Sequence, residues 1–208
     1  TETRSGKHAQ AFLGAWRGKL VCDDYSGYKA LLAKGVVECG CLAHARRKFF
    51  DLHVHNNSQL AGQALNYFAQ LYDIERELQQ LDAHSRCQIR QARAKPIADA
   101  LHAWMAAHRL KVPDGSAIAK ALDYSLTRWR ALTRYLDDGT LPPDNNHVEN
   151  QIRPVALGRA NWLFAGSLRA GQRAAAVMSL IQSAKLNGHD PYAYLKDVLA
   201  RRDLWPHQ

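Results

Sequence analysis

The chain has 208 residues, 47% of them hydrophobic, so it can bury a core and is too apolar for a disordered protein. Its 28 lysines and arginines outnumber 19 acidic residues, and the net charge of +9 favours polyanionic partners such as nucleic acid. Four cysteines are too few for a disulfide scaffold, and no apolar stretch is long enough to suggest a membrane span. We therefore expect a cytoplasmic protein.

The first elements along the chain alternate between helix and strand. The apolar run Lys19–Cys22 predicts a buried strand that ends at Asp23 and Asp24. Carboxylates at the carboxyl end of a strand lie where open α/β sheets place their ligands. Helices are predicted over 9–16, with one buried face, and over 28–33, and a second buried strand is predicted over 36–41.

The middle of the chain is dominated by apolar residues at helical spacing. Helices are predicted over 44–52, 60–81, 96–108 and 116–136, with a loop at 56–58. The first of these helices carries Arg46, Arg47 and Lys48 in succession. We therefore predict an α/β protein that is mostly helical, with a helical insertion after the two strands.

The carboxyl-terminal part is predicted to be loop and helix. Asp144 ends a loop over 138–144 and can cap a helix that ends near Pro154. An aromatic segment over 161–166 has no assigned type, an amphipathic helix over 171–187 stops at Gly188, and a last helix over 191–201 is capped by Asp190.

The first candidate for chemistry is the pair Asp23 and Asp24. A carboxylate at a strand end can hold a divalent cation against substrate phosphate, because magnesium prefers oxygen ligands and takes only one or two from protein. A polar strand end or a helix cap explains the pair equally simply, and from the pair alone it is the favoured interpretation.

The second candidate is the polar run from Asp144 to Pro154. On one helix, Asn145, Glu149 and Arg153 are four residues apart and would share a face, joining a metal-binding carboxylate to a phosphate-binding cation. The alternative is a surface ion pair between Glu149 and Arg153, of little energetic consequence. The polarity of this run among apolar helices favours a functional role.

Other residues are ambiguous. Cys39, Cys41 and His44 are the right types for zinc, but a fourth ligand at suitable spacing is missing and buried cysteines explain them better. Trp104 and Trp129 are predicted to lie in the core. Two basic groups flank the carboxylate segments in sequence, and they can border a nucleic-acid cleft if the fold brings both segments together, but are otherwise solvated. The groups are Arg46, Arg47 and Lys48, and Arg153, Arg159, Arg169 and Arg173.

Four motifs occur in order over about residues 5–201: LVCDDYSGYKAL, ECGCLAHARRKFFDL, DNNHVENQIRPVALGRANWLFAGS and SLIQSAKLNGHDPYAYL. In this order they resemble the bacterial insertion-sequence transposases of family sixty-six. The resemblance implies an incomplete ribonuclease-H-like core in which two aspartates and one glutamate bind two Mg²⁺ or Mn²⁺ ions, with a helical insertion between the second aspartate and the glutamate.

By motif position, the resemblance makes Asp23 the second aspartate and Glu149 the glutamate, both catalytic and metal-binding. Cys41 and His44 match a Cys-x-x-His element expected to support the site structurally. The family's first aspartate is expected on a strand before Thr1, so we expect little or no activity from this polypeptide alone. Residues expected to bind DNA are Arg46, Arg47, Lys48, Asn145, Arg153 and Arg159.

The resemblance also implies a domain division and partners. We predict a partial core over 1–55, the helical insertion over 56–140 and the rest of the core over 141–208. The expected partners are the element's DNA ends and target DNA, further copies of the transposase on DNA, and accessory proteins of the element. Asp24 stands where the family has glycine, and Leu42 where it has tryptophan. The alternatives are a remnant that binds DNA or intact transposase without cleaving, and a helical protein with an accidental match.

Overall fold

A computed structural model describes residues 5–162 and 166–201, without the side chains of 159–162. These residues belong to two compact units, Ser5–Asn146 and the residues from His147 onward. Most of the chain is helical, as predicted, with one small parallel sheet in the first unit. None of the helices in the described ranges is both long enough and apolar enough to cross a membrane.

The sheet consists of β1 (Lys19–Cys22) and β2 (Val37–Gly40), which pair in parallel. A 3-10 turn and helix α2 (Lys29–Leu32) connect them, because parallel neighbours need a crossover. Both strands lie where the sequence predicts them. The expectation that they are buried holds only at their carboxyl ends, and the amino ends at Lys19 and Val37 are exposed.

Helix α1 spans Gly6–Leu13, about one turn earlier than predicted. The hydroxyl of Ser5 accepts a hydrogen bond from the amide of Lys7, and Gly14 ends the helix at a positive φ of 53°. The predicted buried face is wrong, because Phe12 is 88% exposed and no residue of α1 is buried.

The first unit contains six further helices, and all of them except α5 contribute buried residues to its core. Helix α3 packs on α4 and α7, and α4 packs on α6. Phe49 and Phe68 meet near its centre with ring centroids 5.8 Å apart, and Trp104 and Trp129 pack against this core as predicted. The helices are α3 (Leu42–Asn56), α4 (Gln59–Glu77), α5 (Ala83–Ile89), α6 (Lys95–Arg109), α7 (Ala117–Thr127) and α8 (Trp129–Thr133).

Two parts of this helical region differ from the prediction. The expected single helix over 116–136 is interrupted at Arg128, whose φ of −103° and ψ of 9° are not helical, and a 3-10 turn, Arg134–Asp137, follows α8. Helix α5 and a π-helical turn, Arg90–Ala94, precede α6 and were not predicted. Their apolar residues are too sparse to produce a periodic signal.

Arg90 is the most deeply buried charged residue described, with 1% of its surface exposed. Its guanidinium makes two bonds to the carboxylate of Glu75, at 2.8 and 2.6 Å. It also donates to three main-chain carbonyls over 135–141, those of Tyr135 at 2.9 Å and of Asp138 and Leu141 at 3.0 Å. Arg90 therefore anchors the loop that leads to Asp144.

The ion pair between Lys19 and Asp138 connects β1 to the same loop. Hydrogen bonds from Lys19 and then from Thr140 lower the pKa of Asp138 to about 2. Because this folded-state pKa lies below the unfolded value, the stabilisation is complete above about pH 4 and is lost as the pH falls through about 2.

Lys19→Met should therefore lower the free energy of unfolding at pH 6 by about 1 kcal/mol or less, since both side chains are partly solvated. This difference from the wild type should shrink as the pH falls from 4 toward 2. Urea unfolding at several pH values measures it, with the exposed Lys34→Met as control. An equal loss for Lys19→Met at all pH values would contradict the pairing.

The second unit contains α9 (Asn146–Trp162, begun at the last residue of the first unit), α10 (Leu168–Leu186) and α11 (Pro191–Ala200). The prediction that α9 ends near Pro154 is wrong, because Pro154 lies inside the helix. As predicted, α10 stops before Gly188, which has a φ of 73°, and Asp190 caps α11. Part of the aromatic segment 161–166 lies outside the described residues.

Candidate active site

The carboxyl ends of both strands form one edge of the sheet. Cys22 is paired with Gly40, and the amide of Cys41 donates to the carbonyl of Cys22 at 3.0 Å. Asp23 and Cys41 therefore follow neighbouring strand ends. Burial raises the pKa of the Cys22 thiol to about 12, so this cysteine is a neutral packing group under the edge.

The two adjacent aspartates have different surroundings. Asp23 is half-buried, and its Oδ1 accepts a hydrogen bond from the amide of Tyr25 at 3.1 Å. Asp24 is exposed and forms an ion pair with Arg128. A second nitrogen of Arg128 binds the carboxylate of Glu38. Asp24 and Glu38 thus share one cation, whereas Asp23 forms no ion pair with any described residue.

The segment before α9 lies against this edge of the sheet. The amide of Leu42, the first residue of α3, donates to the carbonyl of Pro143 at 2.9 Å. Asp144 accepts from the Tyr72 hydroxyl at 2.7 Å and from the amide of Asn146 at 3.0 Å. Burial, and then Asp144, raises the pKa of the Tyr72 hydroxyl, which therefore acts as a donor.

Cys41 and His44 lie at the start of α3. Cys41 is fully buried, and burial raises the pKa of its thiol, although the main-chain amides of Asn145 and His44 oppose this shift. The contact with Asn145 connects α3 to the segment before α9. Over 5–162 and 166–201, no three His, Cys, Asp or Glu side chains are grouped so that they could hold a metal ion.

Asn145 does not share a helix face with Glu149, contrary to prediction, because α9 begins only at Asn146. Its Oδ1 is buried in the first unit without a hydrogen-bond donor among the described residues. Within the second unit, Glu149 is half-buried in the first turn of α9, and Arg153 is exposed one turn later. The side chain of Arg159 lies outside the described residues.

The basic residues of α3 fall within its first two turns, next to the carboxyl edge of the sheet. Arg46 is half-buried, with its guanidinium 5.4 Å from the centroid of the Phe50 ring. Arg47 and Lys48 are exposed, and Lys48 Nζ lies 4.3 Å from the centroid of the Tyr124 ring. The helix thus carries three cations within the first two turns after the carboxyl end of β2.

Sequence reasoning did not single out Arg128, Glu38 or Tyr72. Arg128 is separated from Asp24 by 104 positions, and Tyr72 from Asp144 by 72. Each belongs to a pattern that predicts only helix or strand. Local spacing contains no signal for such contacts.

Family models match almost the whole chain. The model of the Transposase IS66 family matches residues 1–173, and that of the IS66 C-terminal element matches residues 179–208. No solved structure matches.

Curated relatives come from Sinorhizobium fredii (strain NBRC 101917 / NGR234). Uncharacterized protein y4jD is 40% identical over 208 residues, which cover 97% of this chain and 41% of the relative. Uncharacterized protein y4hP is 38% identical over 215 residues, which cover 95% of this chain and 39% of the relative. The chain therefore spans about two fifths of the length of these relatives. Matches to both family models, together covering nearly every residue, show that the chain belongs to the IS66 family of transposases.

Proposed function

We propose that this chain carries part of the catalytic site of a DNA transposase, in which Asp23 and Glu149 bind Mg²⁺ or Mn²⁺. The observation that supports this proposal best is the set of contacts made by the Asp23 carboxylate. This half-buried carboxylate at a strand end accepts one bond from a main-chain amide, while the nearby carboxylates of Asp24 and Glu38 bind Arg128. A carboxylate that is not already in an ion pair with a cationic side chain suits a divalent cation.

The proposed reaction is in-line attack on a DNA phosphodiester, first by water and then by the freed 3′ hydroxyl on target DNA. Two bound cations would favour deprotonation of the attacking group and stabilise the leaving oxygen. Asp23 and Glu149 would each hold a cation, and Arg153 and Asn145 would position the strand.

The wider arrangement is part of the same proposal. Family membership also leads us to predict a ribonuclease-H-like core interrupted by a helical insertion, self-association on DNA, and accessory proteins of the element. These stay predictions. So does the structural support of the site by Cys41 and His44. The contact between the Cys41 thiol and the amide of Asn145 supports this last role.

DNA binding is proposed to involve Arg46, Arg47 and Lys48. Each phosphate contact releases counterions, so the logarithm of the binding constant falls with the logarithm of salt by about 0.9 per contact. Replacing all three residues with glutamine should reduce this slope by up to about 2.7. Fluorescence anisotropy with labelled duplex DNA, at roughly 50–200 mM salt, measures the change.

The control must lose the same charge at another surface. Arg76, Arg93 and Lys95 are exposed or half-exposed, and each is paired with a carboxylate on α4 or α6. Their triple glutamine variant should retain the wild-type slope. Equal reductions of the slope in both variants would show that only net charge matters. An affinity for DNA that does not change with salt concentration would argue against phosphate binding altogether.

A further inference from the structure

Two adjacent carboxylates at one strand end leave open which of them binds the cation. Sequence spacing cannot separate Asp23 from Asp24. Their surroundings do: the main-chain amide of Tyr25 fixes one oxygen of Asp23, whereas a side-chain nitrogen of Arg128 binds Asp24. The difference between the two residues depends on Arg128.

Arg128 is held from several directions. It lies at the break between α7 and α8, and its side chain is only 10% exposed. One terminal nitrogen binds Asp24, and the other binds Glu38 and approaches the main-chain oxygen of Asp23 at 3.3 Å. The guanidinium also lies 5.4 Å from the centroid of the Tyr124 ring. Both terminal nitrogens of its planar fork are thus engaged, a geometry that lysine cannot reproduce, while its buried Nε has no hydrogen-bond partner among the described residues.

We infer that Arg128 is a positioning residue that keeps Asp24 out of the metal site and holds the Asp23 main chain in place, so that Asp23 alone of the pair binds the cation. The inference rests on the proposed function, because it assumes that Asp23 is a metal ligand. One guanidinium shared between Asp24 and Glu38 occupies both carboxylates. Asp24 could offer both of its oxygens to a cation only by giving up its ion pair with this largely buried guanidinium.

Titration of the chain with Mn²⁺, with free Mn²⁺ followed by electron paramagnetic resonance, tests the inference. Asp24→Asn should leave the dissociation constant within about twofold in the wild-type background. In an Arg128→Gln background, Asp24 is released and can act as a ligand. There, Asp24→Asn should raise the dissociation constant at least about threefold. A purely structural ion pair would alter folding without making Mn²⁺ binding depend on Asp24.

Arg134→Gln is the matched control. Arg134 follows α8 and donates a hydrogen bond to the main-chain oxygen of Glu38, so it binds the same strand without contacting Asp24. In its background Asp24→Asn should again have no effect. Circular dichroism verifies the fold of each variant, and Arg128→Met, which also removes the cation, serves where Arg128→Gln does not fold.

Two results separate this inference from the proposed function. If Asp23→Asn leaves Mn²⁺ binding unchanged, the proposed metal ligand is wrong. If Asp23→Asn weakens binding and Asp24→Asn weakens it equally in the wild-type background, the metal site stands and the role given to Arg128 is wrong. Additive effects of Arg128→Gln and Asp24→Asn would also overturn that role.

Discussion

Arg90→Met should lower the free energy of unfolding by about 3–5 kcal/mol, because it leaves the carboxylate of Glu75 with no cation in a largely buried position. The variant also removes the donor for three main-chain carbonyls over 135–141. Methionine fills a similar volume, so lost packing contributes little. Urea unfolding of the chain, followed by circular dichroism at neutral pH, measures the loss.

The neighbouring ion pair supplies a matched control. Arg93 and Glu77 lie on the same two elements, but both side chains are at least half exposed. Arg93→Met should therefore lower the free energy of unfolding far less than Arg90→Met does, because a solvated ion pair contributes little. Equal losses for Arg90→Met and Arg93→Met would show that burial of the Arg90 pair does not matter. Arg90→Lys should fall between them, because lysine keeps the charge without the bidentate geometry.

Local pattern was sufficient for the elements that carry the first candidate carboxylate. The run Lys19–Cys22 is apolar, short and followed by a turn, so the sequence predicts both the strand and the position of Asp23 at its end. What surrounds Asp23 could not be predicted. Arg128 comes from a helix break 104 positions away from Asp24, and only the folded chain brings them together.

Two other predictions are wrong because a general rule about helices does not hold at that position of the chain. Proline usually ends a helix, yet Pro154 lies within α9, where it removes one main-chain donor without ending the helix. An apolar stripe usually marks a buried face, yet Phe12 on α1 is exposed. Periodicity shows that a helix has an apolar side, but not what covers that side.

Glu149→Gln should reduce metal-dependent DNA cleavage by at least about 10³-fold, because a neutral amide would replace the proposed charged ligand of a cation that takes few ligands from protein. Since the chain spans about two fifths of its relatives, the assay uses a chimera in which it replaces the matching region of y4jD. DNA binding should change less than about threefold, because phosphate contacts supply that affinity. Glu77→Gln, at an exposed carboxylate on α4, should leave cleavage intact.

Retained cleavage in the Glu149→Gln chimera would refute the role of that residue. A chimera that binds DNA but never cleaves it would instead favour the alternative of a non-catalytic transposase remnant. These outcomes need a test of metal binding that does not depend on activity. Fe²⁺ can replace Mg²⁺ at carboxylate sites and, with ascorbate and peroxide, cuts the main chain near the bound ion.

If Asp23 and Glu149 hold cations in a common site, Fe²⁺ should cut the unaltered chain near residue 23 and near residue 149. Asp23→Asn should weaken both cuts, since each carboxylate contributes charge that attracts the ions to that site. Asp51→Asn, at an exposed carboxylate on α3, should change neither. The contrary result has two parts: the cut near residue 23 is unaffected by Glu149→Gln, and no cut occurs near residue 149. The two carboxylates would then not share a site, and the proposal would be wrong.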